Sequence, residues 1–160
     1  APSPYGIPFR CLYSSNINNL MFAGRNVSVT HLALGSTRVM GTCAMIGQAI
    51  GTAAAMMNGV SVSPRAFYQD KNQTNIKSLQ DRLQDQDCFL PATPRRNKNA
   101  LPLVIKHQYG DNLSNGIERE LKGEDNGLWL SKGEALQIEL LSTSNIKGIR
   151  IIHDSDLKNI

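Results

Sequence analysis

The stretch that decides the fold runs from Leu20 to Met57 and reads LMFAGRNVSVTHLALGSTRVMGTCAMIGQAIGTAAAMM. A short apolar run stops at Gly24, and a long helical pattern follows Gly35. Small residues recur in that pattern every three or four positions, so they fall on one side of a helix: Gly41, Ala44, Gly47, Gly51 and Ala54. The spacing predicts a long helix that opens at Gly35-Ser36 and lets another backbone or a flat ligand approach it closely.

The start of this predicted helix has a chemical use. The first turn of a helix presents unpaired N–H groups and the positive end of the helix dipole. Gly35, Ser36 and Thr37 would add hydroxyl groups and bare backbone there. Such an end suits an anion or an electron-rich ring edge. The alternative is a buried Gly/Ala helix without any ligand.

Composition limits the classes of function. The chain has 160 residues, 41% apolar residues and a net charge of +4, enough for one ordinary core or two small ones. Its densest basic cluster, Arg95, Arg96 and Lys98, lacks interleaved aromatic residues, which favours a solvated linker over a nucleic-acid surface. Three cysteines without CxxC spacing indicate neither a disulfide framework nor a zinc site. We therefore expect no nucleic-acid partner and no metal.

The first part of the chain reads as mixed α and β structure. Residues 8–13 alternate weakly and predict a short strand, and Leu20–Ala23 predicts a strand buried on both faces. Ile76, Leu79 and Leu83 follow a helical spacing, which predicts a second, amphipathic helix over Asn75–Gln86 with Thr74 as its N-cap.

The residue pattern of the sequence changes after residues 92–99. This segment is Pro-rich and basic and is the best candidate for a linker. Three short apolar segments separated by turn residues predict β-strands beyond it: Leu101–Ile105, Leu136–Leu140 and Ile146–Ile152. The predicted organisation is a domain over 1–91, the linker over 92–99 and a β domain over 100–160, which is an α+β fold overall.

A membrane span is not expected from the sequence. The longest apolar run, Cys43–Met57, is short for a bilayer and contains Gln48. The first ten residues have neither the basic nor the apolar part of a secretory signal. A buried helix is the preferred interpretation of the run.

Several motifs in order resemble a known family. Asn19–His31, Gly35–Met40 and Gly47–Ala54, preceded by Tyr5–Arg10, closely resemble the C-terminal FAD-binding segment of a family of bacterial FAD-dependent oxidoreductases. The resemblance implies that FAD is the cofactor. It also implies that cofactor contacts fall on the turn before the helix and on its start: Ala23, Gly24, Arg25, Gly35, Ser36, Thr37, Arg38 and Val39.

One part of the family pattern is absent. Such enzymes hold the ADP half of FAD on a GxGxxG turn, and this sequence contains none. We therefore expect the chain to be a C-terminal fragment of a longer flavoprotein, inactive alone and prone to self-association. Its substrate would be a small molecule, with carbohydrate-related compounds as one candidate class.

A second, looser resemblance concerns the C-terminal part. Ser114–Arg119, Gly123–Trp129 and Ile151–Leu157 resemble a galactose-binding-like β-sandwich appended to the same oxidoreductases. The chain is too short for a complete sandwich. The alternative function is accordingly a carbohydrate- or surface-binding module, for which the N-terminal part is only a scaffold.

Individual side chains have competing interpretations. His31 and Arg38 are the candidates for catalysis, although a lone His is more often structural. Arg25 suits either an anionic ligand or an ion pair. Trp129 suits a sugar platform or, preferably, the core of the sandwich. The three aspartates Asp125, Asp154 and Asp156 lack the spacing of a calcium loop.

Overall fold

The computed structural model describes residues 4–96, 101–118 and 126–152. The chain divides into two compact units, Ala1–Pro91 and Ala92–Ile160. Helices fill the first unit and a small sheet lies in the second, so the predicted α+β class is confirmed. The helices are a 3-10 helix at Phe9–Leu12, α1 at His31–Thr37, α2 at Met40–Asn58, α3 at Pro64–Tyr68, α4 at Thr74–Asp85 and a second 3-10 helix at Gly110–Leu113.

The N-terminal segment does not form the predicted strands. Residues 9–12 turn into the 3-10 helix, whose Cys11 N–H donates to the Pro8 carbonyl at 2.9 Å. Extended pairing is limited to one bridge between Tyr13 and Met21. The prediction of strands at 8–13 and at Leu20–Ala23 is wrong in the described residues, because neither segment has a further strand beside it to continue a ladder.

The long helix α2 begins later than predicted. Gly35, Ser36 and Thr37 belong to the end of α1, and Arg38 and Val39 separate the two helices. Val39 is the N-cap of α2 with an extended backbone, φ −64° and ψ 146°. The sequence gives no glycine or proline at this break, so the helical pattern reads as continuous.

One face of α2 forms the core of the first unit. Ala53 and Met57 pack in a cluster with Phe67 of α3 and with Leu79 and Leu83 of α4. Nearer the start of α2, Ile46 lies in a second buried cluster with Leu12 and Val27. The chain therefore builds two small apolar clusters along a single helix.

The Gly/Ala face of α2 points the other way. Gly41, Ala44, Gly51 and Ala54 are exposed, and Gly47 is half-buried. A Cβ added at any of the three glycines would meet nothing within 4 Å in the described part of the chain. The interpretation of α2 as a buried Gly/Ala helix is therefore wrong.

The exclusion of a membrane span also needs correction. Helix α2 is 19 residues long, and by length and composition it could cross a membrane. Only 17% of its most apolar 18-residue window is buried. The argument from Cys43–Met57 fails because the helix continues beyond that run at both ends, and length alone does not exclude a span.

The amphipathic helix α4 confirms the prediction to within a residue at each end. Gln73 precedes it in a left-handed conformation, φ 53°. The Asp70 carboxylate accepts from the Thr74 N–H at 2.8 Å and from the Asn75 N–H at 3.3 Å. The Asp70 carboxylate therefore pairs with the free N–H groups of the first turn, a capping role that the sequence had assigned to the Thr74 side chain.

The second unit contains a two-stranded antiparallel sheet. Strand β1 at Leu103–Ile105 pairs with β2 at Ile138–Leu140, with Val104 opposite Glu139. The third predicted strand, Ile146–Ile152, is absent: the segment has no strand structure, and Ile149 and Ile151 are 74% and 72% exposed. Trp129 is 57% exposed, so the core position preferred for it is wrong in the described residues.

Polar contacts order this unit. The Arg95 guanidinium pairs with the Glu118 carboxylate, and both side chains are mostly buried. The Asn126 amide donates to the Ile117 carbonyl at 2.8 Å. The aspartates Asp125, Asp154 and Asp156 lie outside the described residues.

Candidate functional site

The turn at Gly24 forms as predicted. Gly24 has φ +110°, a backbone conformation that residues with a Cβ rarely adopt. Its carbonyl accepts from the Val27 N–H at 3.2 Å. Ala23 and Arg25 on either side are exposed. The turn thus presents an open backbone and a guanidinium on the surface of the first unit.

Buried contacts join this turn to helix α2. Val27, three residues after Gly24, lies in one cluster with Ile46, and Val29 and Ile50 pack against it. The Ser28 N–H donates to the Cys11 carbonyl at 2.9 Å. The segment after the turn therefore packs against the first half of α2.

The hydroxyl groups predicted to bind a ligand form hydrogen bonds within α1. Ser36 Oγ and Thr37 Oγ1 both donate to the Ala33 carbonyl, at 3.2 and 3.1 Å. Thr37 is 3% exposed. Because these residues end a helix rather than begin one, the prediction that Gly35–Thr37 forms an anion-binding helix start is wrong. Their contact with a cofactor stays a prediction.

The start of the long helix, expected at Gly35, lies at Met40. Val39 makes no side-chain cap, and the first turn of α2 contains no acidic residue. The first helical bond runs from the Cys43 N–H to the Val39 carbonyl at 2.9 Å, and Met40 is 88% exposed. The N–H groups of Met40 and the next residues therefore lie, without a side-chain cap, at the positive end of a 19-residue helix.

Sequence reasoning missed this helix start for a physical reason. The residues Arg38-Val39-Met40 carry no Ser, Thr, Asp or Asn that would mark an N-cap. The available signal was the β-branched Val39, which favours an extended backbone over a helical one.

Two arginines flank the region. Arg25 follows the glycine turn, and Arg38 is the C-cap of α1, next to the start of α2. Both are exposed, and in the part of the chain that the structure describes neither forms an ion pair. The ion-pair interpretation of Arg25 therefore has no support in residues 4–96, 101–118 and 126–152.

His31 is the first residue of α1 and is exposed. The side chain of Thr30 caps this helix by accepting from the Ala33 N–H at 3.4 Å. His31 is therefore placed by a capped helix rather than packed in a core. Its candidacy for a catalytic role stays a prediction.

These features suit an electron-rich or anionic group. The sites of donation or close approach are the uncapped N–H groups at Met40, the guanidinium groups of Arg25 and Arg38, and the bare backbone at Gly24. The residues present therefore fit a flavin with its polar ring edge and phosphates. Donors of this kind occur in the class of flavin- and nucleotide-binding proteins.

The comparison with protein families agrees with that class. Residues 1–83 match the model of the FAD dependent oxidoreductase family, which is more than half of the 160-residue chain. The chain belongs to this family, and this membership implies FAD as the cofactor. No curated protein and no solved structure matches the chain.

Proposed function

We propose that the chain supplies the C-terminal part of the FAD-binding domain of an oxidoreductase, with the Gly24 turn and the start of α2 on the flavin side. The observation that carries the proposal is the exposed, acid-free and uncapped start of α2 at Met40. It lies inside residues 1–83, the part of the chain that matches the family.

The electrostatics of this end favour a reduced flavin. Reduction places negative charge on the pyrimidine side of the ring, and the bound flavin supplies the two-electron chemistry. The dipole of a helix start stabilises a nearby anion by roughly 0.3–2 kcal/mol. Arg38 adds a full positive charge beside it. These residues would orient the ring and raise the tendency of the site to accept electrons.

The proposal includes the fragment status of the chain. The sequence has no GxGxxG turn, so another segment must hold the ADP half of the cofactor. We accordingly propose that the 160-residue chain alone does not retain FAD and is inactive. His31 and Arg38 are proposed to lie close enough to the flavin or substrate to contribute to the reaction.

The test is the visible absorbance of bound flavin in the protein purified from the complete reading frame. We expect yellow protein, and loss of flavin after Gly24→Val because a branched side chain at φ +110° distorts the turn. Gly148→Val is the matched control, because Gly148 also has open space around it but lies in the second unit. Arg38→Gln, which removes an exposed charge, should weaken flavin retention without unfolding.

The rival function is the carbohydrate- or surface-binding β-sandwich. Its support is the exposed Trp129, the antiparallel pair β1–β2 and the resemblance of residues 114–119 and 123–129. It predicts a colourless complete protein that binds glycans and loses that binding after Trp129→Ala. A colourless protein would refute the flavin proposal, whatever Trp129→Ala does.

A further inference from the structure

A cleft in the first unit lies on the 3-10 helix and the loop after it. Its volume is about 370 Å³, within the size range of small-ligand sites. Its walls carry guanidinium, hydroxyl and aromatic groups from four separate segments: Arg10, Tyr13, Ser14, Phe22, Ser28 and Arg65. The predicted flavin contacts involve none of these side chains, although Arg10, Phe22 and Ser28 lie within segments that carry the family resemblance.

The charge of the cleft has one sign. Arg10 and Arg65 both line it, and no carboxylate is among its lining residues in the described part of the chain. Tyr68 hydrogen-bonds Arg10 and raises the pKa of its guanidinium, and an arginine side chain is in any case always charged in proteins. Two like charges at one cleft repel each other unless an anion lies between them.

The cleft is built on fixed backbone. The Ser14 N–H donates to the Leu20 carbonyl at 2.9 Å, and the Phe22 N–H donates to the Leu12 carbonyl at 2.8 Å. Ser14 Oγ accepts from the Ile17 N–H at 3.1 Å and orders the loop beyond it. The walls are therefore held in place before any ligand binds.

Both arginines are positioned and still have donors to offer. Arg65 donates one N–H to the Ser15 carbonyl, and Arg10 contacts Tyr68. A guanidinium has five N–H donors in a planar fork that matches the oxygens of a carboxylate or phosphate. The contact with Ser15 orients the fork of Arg65, and both arginines have donors left for a ligand.

We propose that this cleft binds the carboxylate or phosphate group of a small molecule between Arg10 and Arg65, with the hydroxyl of Ser28 as a further donor. The proposal does not rest on the flavin function, because it concerns residues that the 160-residue chain contains completely.

The experiment titrates inorganic phosphate and, separately, malonate into the ¹⁵N-labelled 160-residue chain at constant ionic strength. We expect saturable shifts of the amide resonances of Ser14, Ser15 and Ser28 with at least one of the two anions. Saturation by phosphate alone assigns a phosphate group, and saturation by malonate alone assigns a carboxylate. Saturation by neither, or equal shifts with chloride, would overturn the proposal.

Variants distinguish binding in the cleft from non-specific attraction of anions to the positively charged protein. Arg10→Gln should weaken binding at least about tenfold, the loss expected for one charged hydrogen bond. Arg10→Lys keeps the charge but loses the fork, so an intermediate affinity is expected. Arg82→Gln on the exposed surface of α4 is the matched control and should leave the affinity unchanged. Equal weakening by Arg10→Gln and Arg82→Gln would refute the site.

Discussion

The two units of the chain have opposite sources of order. Every buried apolar residue in the described ranges lies in Ala1–Pro91, where α2, α3 and α4 pack around Phe67. In Ala92–Ile160, Trp129 and most of the described isoleucines are exposed, and the Arg95–Glu118 pair and the two short strands order the chain. Apolar residues build a core only where the element that carries them has a partner face to bury against.

The largest expected effect is in the core of the first unit. Phe67 is 1% exposed, so Phe67→Ala should lower the free energy of unfolding of this unit by about 3–5 kcal/mol. Urea denaturation followed by far-ultraviolet circular dichroism measures it. Tyr109→Ala, which removes a 54% exposed ring from the second unit, is the control. If the two substitutions lowered the free energy of unfolding by similar amounts, the proposed difference between the units would be wrong.

The next prediction tests how much a polar contact contributes to the stability of the second unit. Glu118 pairs with Arg95, and their side chains are 16% and 9% exposed. Glu118→Gln should destabilise the local structure by about 1–3 kcal/mol, because a mostly buried guanidinium loses its charged acceptor. Amide hydrogen exchange around Arg95 and Gly116 measures it.

The matched control is Glu139→Gln in the exposed pair with Lys106, 3.1 Å apart. It should cost at most about 1 kcal/mol because solvent screens the pair. If Glu139→Gln proved the more damaging change, burial would not be what makes the Arg95–Glu118 contact important.

A smaller effect tests where α2 begins. Val39 occupies the N-cap without a side-chain bond, so Val39→Ser should stabilise the first unit by about 0.5–2 kcal/mol. Ser36→Ala should have little effect, since Ser36 lies inside α1. Thermal unfolding of the two variants compares them. If Val39→Ser gave no stabilisation and Ser36→Ala lowered the stability strongly, the helix would begin at Gly35, as the sequence predicted.

The smallest effect is a pH dependence confined to the first unit, which contains all three cysteines. Burial raises the pKa of the Cys88 thiol. The unfolded thiol ionises first as pH rises, near about 8.5, so the stability of the unit should fall from that pH upward and be unaffected below it. Urea midpoints between neutral and alkaline pH measure this. An identical decline in Cys88→Ala would assign it to other groups.

The sequence determined some of these features and could not determine others. Helix α4 was predictable because Ile76, Leu79 and Leu83 mark one face with a helical period. The Gly24 turn was predictable because glycine stops an apolar run. The break at Val39 was not, since no cap residue marks it, and the Arg10–Arg65 cleft depends on residues far apart in the chain that only the fold brings together.

Unsuccessful strand predictions have one cause. The segments 8–13, Leu20–Ala23 and Ile146–Ile152 have the apolar patterns of strands, but a strand is stable only with hydrogen-bonded neighbours. In the described residues a ladder forms only between β1 and β2, and the two N-terminal segments share a single bridge, Tyr13 to Met21. A local pattern cannot supply a missing partner.

The most direct test of the account is the flavin reduction potential of the complete protein after Met40→Glu. A carboxylate at the exposed start of α2 favours the helix through its dipole but repels the negative charge of a reduced flavin, so we predict a more negative potential with the fold retained. Ala54→Glu, on the exposed face of the same helix, should leave the potential unchanged. Identical potentials in the two variants would contradict the proposal that the start of α2 faces the flavin.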